Sequence, residues 1–168
     1  LMIKMIGTAL CVIVSVLFLA SCSSRPDGMH VILFSDMQAG VQEKIKKAAE
    51  QNAGKVDIFP AFQEKLLTEI TAHEGDVFIV PEDMFQAYDD PENFQPLNGL
   101  PPKKTSPYTT VNKKTGEKTI YAVQIEKGKK QLNGYSFRLN RDMAAFIPVY
   151  AEKTEEALQL ISQLTEAR

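Results

Sequence analysis

The sequence has few of the residues that carry metal or redox chemistry. Among 168 residues there are two cysteines, two histidines and no tryptophan. Both cysteines, Cys11 and Cys22, lie near the start, so the residues after Cys22 can form no disulfide and no thiolate metal site. His30 and His73 have no second ligand at a useful spacing. We therefore expect no metal and no cofactor, and a domain that depends on its hydrophobic core.

The sequence has no large excess of either charge, because 21 acidic residues nearly balance 19 Lys and Arg residues and the formal net charge is −2. Nucleic-acid binding needs clustered cations, so this charge argues against such a partner. The sequence contains no Gly-x-Ser-x-Gly elbow, no phosphate-binding loop and no glycine-rich dinucleotide turn. Adjacent acids at Glu82-Asp83 and Asp89-Asp90 are more typical of solvated or capping helix ends than of catalysis. We therefore expect a protein that is not an enzyme.

An apolar run from Met5 to Phe18 follows Lys4, the only charge before it. A positive start, an apolar segment and small residues are typical of a secretory signal. The next residues, Leu-Ala-Ser-Cys ending at Cys22, resemble the lipobox of bacterial lipoproteins. This resemblance implies cleavage before Cys22, a diacylglycerol thioether on its sulfur, and a fatty acyl group such as palmitate on the new amino group. A retained membrane helix is the alternative, but the run is slightly short for a span of about 20 residues.

The sequence thus divides into three parts. We expect residues 1–21 to be a lipoprotein signal peptide, residues 22–28 to be the lipidated Cys22 with a polar tether, and residues 29–168 to be one α/β domain. Two or three acyl chains anchor a protein firmly, since each buried methylene contributes about 0.8 kcal/mol. The predicted location is the extracytoplasmic face of the cell membrane.

Three short apolar runs, Val31–Phe34, Val56–Phe59 and Val77–Val80, are rich in Val, Ile and Phe. Such runs without full alternation indicate strands that are covered on both faces. Each is followed by a helical pattern, and Gly54 and Gly75 are expected to end the first two helices. Alternating strands and helices favour right-handed crossovers and a parallel sheet.

The second half has a different pattern. Two β-rich runs, 109–112 and 118–123, flank a charged, glycine-containing turn and predict a β-hairpin. Tyr135–Leu139 and 144–147 predict further strands, and Thr154 is expected to cap a final helix. The predicted fold is therefore α/β and three-layered, with a mostly parallel sheet, helices on both faces and an added β-hairpin.

Polar side chains follow the predicted strands or begin the next helix. In open α/β sheets, ligands bind beyond the carboxyl ends of the strands. The candidate ligand-binding residues are Ser35, Asp36, Gln63, Glu82 and Asp83. The alternative is that Ser35, Asp36 and Glu82 only cap helices.

Residues 75–82 (Gly-Asp-Val-Phe-Ile-Val-Pro-Glu), 84–88 and 94–97 resemble one lobe of type 2 extracytoplasmic solute-binding proteins. The resemblance implies a periplasmic-binding-protein-like lobe in which the first strand lies between the second and third. Full binding proteins close two lobes on a ligand, whereas this sequence has elements for one. A single lobe offers half a concave site, which a homodimer would complete.

These observations favour non-catalytic recognition of a small ligand or an envelope protein by a membrane-anchored lipoprotein. One alternative is an accessory or interaction protein without ligand binding. The other is a cell-envelope hydrolase, against which the lack of a nucleophile–base pair argues.

Overall fold

The computed structural model describes residues 27–100 and 106–166. The predicted signal peptide, Cys22 and most of the predicted tether lie outside these residues. The strands are β1 His30–Phe34, β2 Lys55–Phe59, β3 Val77–Pro81, β4 Thr109–Val111, β5 Lys118–Ile120, β6 Ala122–Ile125, β7 Gly128–Leu132, β8 Tyr135–Leu139 and β9 Met143–Phe146. The helices are α1 Ala39–Ala49, α2 Gln63–Thr71, α3 Glu82–Gln86 and α4 Thr154–Glu166, with a 3-10 turn at Pro91–Asn93. None of the helices in the described ranges is long and apolar enough to span a bilayer.

A five-stranded sheet with the order β2-β1-β3-β9-β6 forms the centre of the domain. β1 pairs in parallel with β2 and with β3, as predicted, and lies between them. All five β1 residues are buried, and the four apolar side chains after His30 alternate between two apolar clusters. Val31 and Leu33 lie on one face, and Ile32 and Phe34 on the other. Burial on both faces explains why this strand is apolar without alternation.

Helices cover both faces of the sheet. Ile45 and Ala48 of α1 share the first apolar cluster with Leu160 and Ile161 of α4. Leu66 of α2 and Phe85 of α3 belong to the cluster on the opposite face, where the Phe78 and Phe146 rings stack 5.3 Å apart. Leu67 of α2 points away from this cluster and is 43% exposed.

The sheet is mixed, which corrects the prediction of a mostly parallel sheet. β9 runs antiparallel to both of its neighbours, β3 and β6. The prediction is correct for the β2-β1-β3 half and wrong for the other half. The reason is the connection: after β6 the chain makes a β-hairpin and returns directly, without the helical crossover that a parallel neighbour requires.

Two hairpins lie outside the central sheet. β4 and β5 form the predicted one. β7 and β8 form a second hairpin, which the sequence analysis missed. Its turn is Asn133-Gly134, with φ of 48° and 81° at the two residues. Positive φ at both central positions is typical of the two-residue turn that joins antiparallel strands.

Two predicted helix boundaries are wrong. α1 ends at Ala49, and Gly54 instead begins the approach to β2, where it packs so closely on the Asp27 carbonyl oxygen that a Cβ would collide. Thr154 is the first residue of α4, and its hydroxyl donates to Gln95 Oε1 at 2.9 Å. The backbone N–H groups ahead of α4 instead donate to the buried carboxylate of Asp76.

Candidate binding groove at the carboxyl edge

The carboxyl ends of β1, β2 and β3 open onto a shallow groove of about 260 Å³. We call it the carboxyl-edge groove. It is lined by Asp36, Ala61, Gln63, Pro81, Asp83, Met84 and Arg141. Because parallel strands end at the same edge of a sheet, residues that are far apart in the sequence meet here.

Asp36 forms the wall of the groove next to β1. Its Oδ1 accepts a hydrogen bond of 3.1 Å from the Ala61 N–H, which follows β2. The carboxylate therefore joins the loops after two neighbouring strands. Its donor is a neutral amide, so this contact leaves the negative charge in place beside the groove.

Arg141 and Asp83 form the part of the groove next to β3 and β9. The Arg141 Nη2 lies 2.6 Å from Asp83 Oδ1, and the two side chains are 40% and 69% exposed. Arg141 precedes β9, which runs antiparallel to β3, so the start of β9 lies at the end of β3. Strand direction therefore brings this guanidinium to the groove.

Ser35 does not line the groove. It is buried, and its Oγ accepts from the Met37 N–H at 3.1 Å. Its own N–H donates to the Phe59 carbonyl at 2.9 Å. It does not cap α1, because Gln38 occupies the capping position and no side chain bonds there. Ser35 thus stabilises the turn that leaves β1.

Glu82 points to a different part of the molecule. Its Oε1 accepts from the Tyr108 hydroxyl at 2.6 Å, and both carboxylate oxygens lie 2.9 Å from Gln124 Nε2. Burial raises the pKa of Tyr108 well above its usual range, and the hydrogen bond to Glu82 adds to this effect. Glu82 therefore joins α3 to β6 and to the segment before β4.

A second tyrosine–carboxylate pair lies on the same side of the molecule. The Tyr121 hydroxyl is 3.2 Å from Asp89 Oδ2. Burial, followed by the hydrogen bond to Asp89, raises the pKa of Tyr121 to about 12. Both tyrosines are therefore neutral at physiological pH. The two pairs hold the start of α3 and the residues after its end against the segments on either side of the β4–β5 hairpin.

Of the five predicted residues, the structure brings Asp36, Gln63 and Asp83 to the groove, and places Ser35 and Glu82 elsewhere. Sequence reasoning missed Arg141, because an apolar run does not reveal the direction of its strand. Phe62, which is not among the five predicted residues, is 63% exposed between two residues of the groove lining. Single exposed apolar side chains are common on protein surfaces, so Phe62 alone does not mark a site; it contributes here through its position beside the charged groove lining.

A larger groove of about 510 Å³ lies beside the β4–β5 hairpin. Phe94, Pro96 and Tyr121 are among its lining residues. Two others, Asn98 and Thr110, stand on either side of residues 101–105, which lie outside the described part of the chain. The carboxyl-edge groove, whose surroundings are described in full, therefore provides the better defined site.

A third, smaller cavity of about 200 Å³ lies at the opposite end of the strands, which we call the amino edge. Beside it, Asp57 Oδ2 is 2.9 Å from His30 Nε2 and 2.7 Å from Lys55 Nζ. Burial acts to raise the pKa of Asp57, but the hydrogen bonds and charges of Lys55 and His30 outweigh it, so the pKa is lowered. These contacts tie the starts of β1 and β2 together.

The carboxyl-edge groove can orient polar and charged groups of either sign. Its walls carry two carboxylates, a guanidinium and an amide. Within residues 27–100 and 106–166, no three His, Cys, Asp or Glu side chains are grouped so that they could hold a metal ion. The chemistry available in the groove is therefore hydrogen bonding and charge pairing.

Comparison with known proteins identifies the family. The chain is 97% identical over 167 residues to the protein named "Putative lipoprotein YteS" from Bacillus subtilis (strain 168), and the match covers 99% of this chain and 100% of that protein. The chain therefore belongs to the YteS family, and this near-identity supports its assignment as a lipoprotein. No family model matches the chain. No solved structure matches it either, so the resemblance to a solute-binding lobe stays a prediction.

Proposed function

We propose that this lipoprotein is a non-catalytic recognition protein, anchored at the extracytoplasmic face of the membrane through Cys22, which binds a protein partner at the carboxyl-edge groove. The observation that carries this proposal is the pairing of Arg141 with Asp83 in a groove that Asp36 also lines, beside the exposed Phe62. These groups come from four separate parts of the chain, and only the fold brings them together.

The size of the groove favours a protein partner over an enclosed solute. Pockets that enclose small ligands usually measure about 300–1,000 Å³, whereas this groove measures about 260 Å³ and is open. Arginine and large aromatic side chains are enriched among the residues that dominate protein–protein binding. Arg141 and Phe62 are such residues, and both are accessible.

The charges suggest what the partner presents. The guanidinium of Arg141 already faces Asp83, while Asp36 accepts only from a neutral amide among the hydrogen bonds described. A basic side chain on the partner would therefore gain most beside Asp36, and an apolar side chain would cover Phe62. Complementary charge of this kind gives specificity and fast association.

Photocrosslinking in living cells tests the proposal. A benzophenone amino acid replaces Gln63, which lines the groove, and in the control it replaces Lys114, an exposed residue of the β4–β5 turn. We expect one discrete crosslinked product from position 63 and none from position 114. Arg141→Glu and Asp36→Lys, each combined with the position 63 probe, should abolish it. Equal products from both positions, or a product unaffected by Arg141→Glu, would contradict the proposal.

The same experiment separates the other roles. Crosslinking to a second copy of this chain would identify a homodimer as the partner. A thermal-shift screen with sugars, peptides, amino acids and anions tests for a small ligand, since a ligand at a hundred times its Kd adds about 2.7 kcal/mol of stability. A shift that Asp36→Ala removes would assign the groove to a solute instead. If neither a crosslink nor a thermal shift is observed, the groove is rejected as a binding site and the accessory role remains.

A further inference from the structure

The end of the domain at which the tether attaches fixes how it stands on the membrane. We infer that the amino edge of the sheet is an interaction surface for the lipid bilayer, and that the carboxyl-edge groove is held facing away from it. This inference rests on the anchor at Cys22 that the proposed function includes. It does not depend on what the groove binds.

The chain is fixed to the amino edge before β1 begins. Gly28, with φ of 109°, packs against Gly54 so closely that a Cβ would approach the Gly54 Cα to 2.9 Å. The Gly54 N–H donates to the Met29 carbonyl at 2.9 Å, and Met29 is buried. Asp27 and Gly28 both line the amino-edge cavity. The stretch of chain that can separate a lipid on Cys22 from the domain therefore ends at Asp27.

That stretch is short compared with the domain. Each residue spans at most about 3.6 Å, so the chain from Cys22 to Asp27 reaches at most about 18 Å. A domain of this size has a radius of gyration of about 14 Å, which corresponds to a sphere about 35–40 Å across. The tether therefore cannot pass around the domain, and the carboxyl edge cannot turn to the bilayer.

The amino edge also presents residues that suit a lipid surface. β9 ends there, because Phe146 pairs with Phe78 near the start of β3. Beyond it, Val149 is 60% exposed, and the Tyr150 hydroxyl donates to the Glu74 carbonyl at 2.7 Å. Tyrosine has an apolar body and a polar tip and is enriched at membrane interfaces.

The edge is not a basic patch. Acidic residues such as Glu74 and Glu152 line its cavity together with Lys55 and Lys153. Attraction to anionic lipid therefore does not drive the contact. The short tether brings this edge to the bilayer, and the exposed Val149 meets the headgroup region once it is there.

Single tryptophans provide the test, because the chain has none of its own. Val149→Trp places a fluorophore at the amino edge and Phe62→Trp places one at the groove, and the native side chains are 60% and 63% exposed. Each lipidated chain is purified and reconstituted into phosphatidylcholine–phosphatidylglycerol vesicles that contain a dansyl lipid. We expect severalfold stronger energy transfer from position 149 than from position 62. Equal transfer, or stronger transfer from position 62, would overturn the inference.

Two controls isolate the cause. About thirty Gly and Ser residues inserted after Pro26 give a root-mean-square reach of roughly 30 Å, and should remove the difference between the two positions. A difference that survives the insertion would contradict the tether as its cause. If Cys22 carries no natural lipid, coupling its thiol to a maleimide lipid still tests the orientation, so failure of the anchor and failure of the orientation give different results.

Discussion

The Arg141 guanidinium lies 2.6 Å from the Asp83 carboxylate, and this pair joins the start of β9 to the start of α3. The two residues meet because β9 runs antiparallel to β3, so that one strand begins where the other ends. The pair lies at the surface and lines the groove together with Asp36. Because both side chains are exposed, the pair contributes little to stability and remains accessible to a binding partner.

Removing this pair should affect binding and leave the fold intact. Exposed ion pairs contribute about 0–1 kcal/mol to stability, so Arg141→Ala and Asp83→Ala should each change the free energy of unfolding by about 1 kcal/mol or less. Both should weaken the crosslink from position 63. Urea unfolding and crosslink yield are measured on the same variants. Unfolding of either variant at much lower urea would show that the pair is structural.

Asp76 should behave in the opposite way. It is buried, and its carboxylate accepts from the backbone N–H groups of His30, Glu152 and Lys153 at 2.8, 3.1 and 3.3 Å. Each buried donor left unpaired costs about 1–3 kcal/mol, so Asp76→Ala should lower the free energy of unfolding by about 3 kcal/mol. Urea unfolding measures the loss.

The matched control for this variant is Asp83→Ala, which removes an exposed carboxylate instead. Asp76→Asn should lie between the two, because its amide keeps one acceptor oxygen and turns its N–H group toward the remaining donors. An Asp76→Ala variant as stable as Asp83→Ala would show that the N–H groups find other acceptors.

Asp83 and Asp76 show how far the site can be predicted from the sequence, because the position of Asp83 was predicted and the role of Asp76 was not. Three apolar runs were enough to predict β1, β2 and β3 and their shared carboxyl edge, and Asp36, Gln63 and Asp83 follow from that edge. Arg141 could not be predicted in the same way, because its place depends on the direction of β9. The roles of Glu82 and Asp76 depend on partners that are distant in the sequence and meet only in the folded chain.

The missed β7–β8 hairpin has a different cause. Its Asn-Gly turn is a strong local signal, but β7 is the segment Gly-Lys-Lys-Gln-Leu, which contains little that favours a strand. Its pairing with β8 compensates for its composition. Here tertiary contacts override local preference.

The backbone conformation of the turn can be tested by comparing two Gly→Ala variants, one expected to destabilise the fold and one expected to stabilise it. Gly134 has φ of 81° and open space around it, so Gly134→Ala should cost about 1 kcal/mol through backbone strain alone. Gly40 lies within α1, also with open space, so Gly40→Ala should stabilise by about 0.4–1 kcal/mol. Thermal unfolding of the two variants should shift in opposite directions. Shifts in the same direction would contradict the assigned backbone conformations.

Stability should fall at alkaline pH because of the buried tyrosines. The pKa of Tyr121 is raised from 10.0 to about 12 in the folded chain. Between these values the unfolded chain loses the proton and the folded chain keeps it, so the free energy of unfolding decreases as pH rises. The contribution is complete below pH 10 and lost near pH 12. Tyr121→Phe should flatten this decline in urea midpoints, and Tyr108→Phe should act in the same direction. Identical slopes for the variants and the native chain would argue against raised pKa values.

The anchor at Cys22 is the claim on which both the proposed recognition at the membrane and the inferred orientation depend. Mass spectrometry of the mature chain, isolated from the membrane fraction of a Bacillus host, tests it directly. We predict an amino terminus at Cys22 with a diacylglycerol thioether on the sulfur, and a Cys22→Ala variant that is neither processed nor lipidated. A mature chain that begins at another residue, or an unmodified Cys22, would contradict the account.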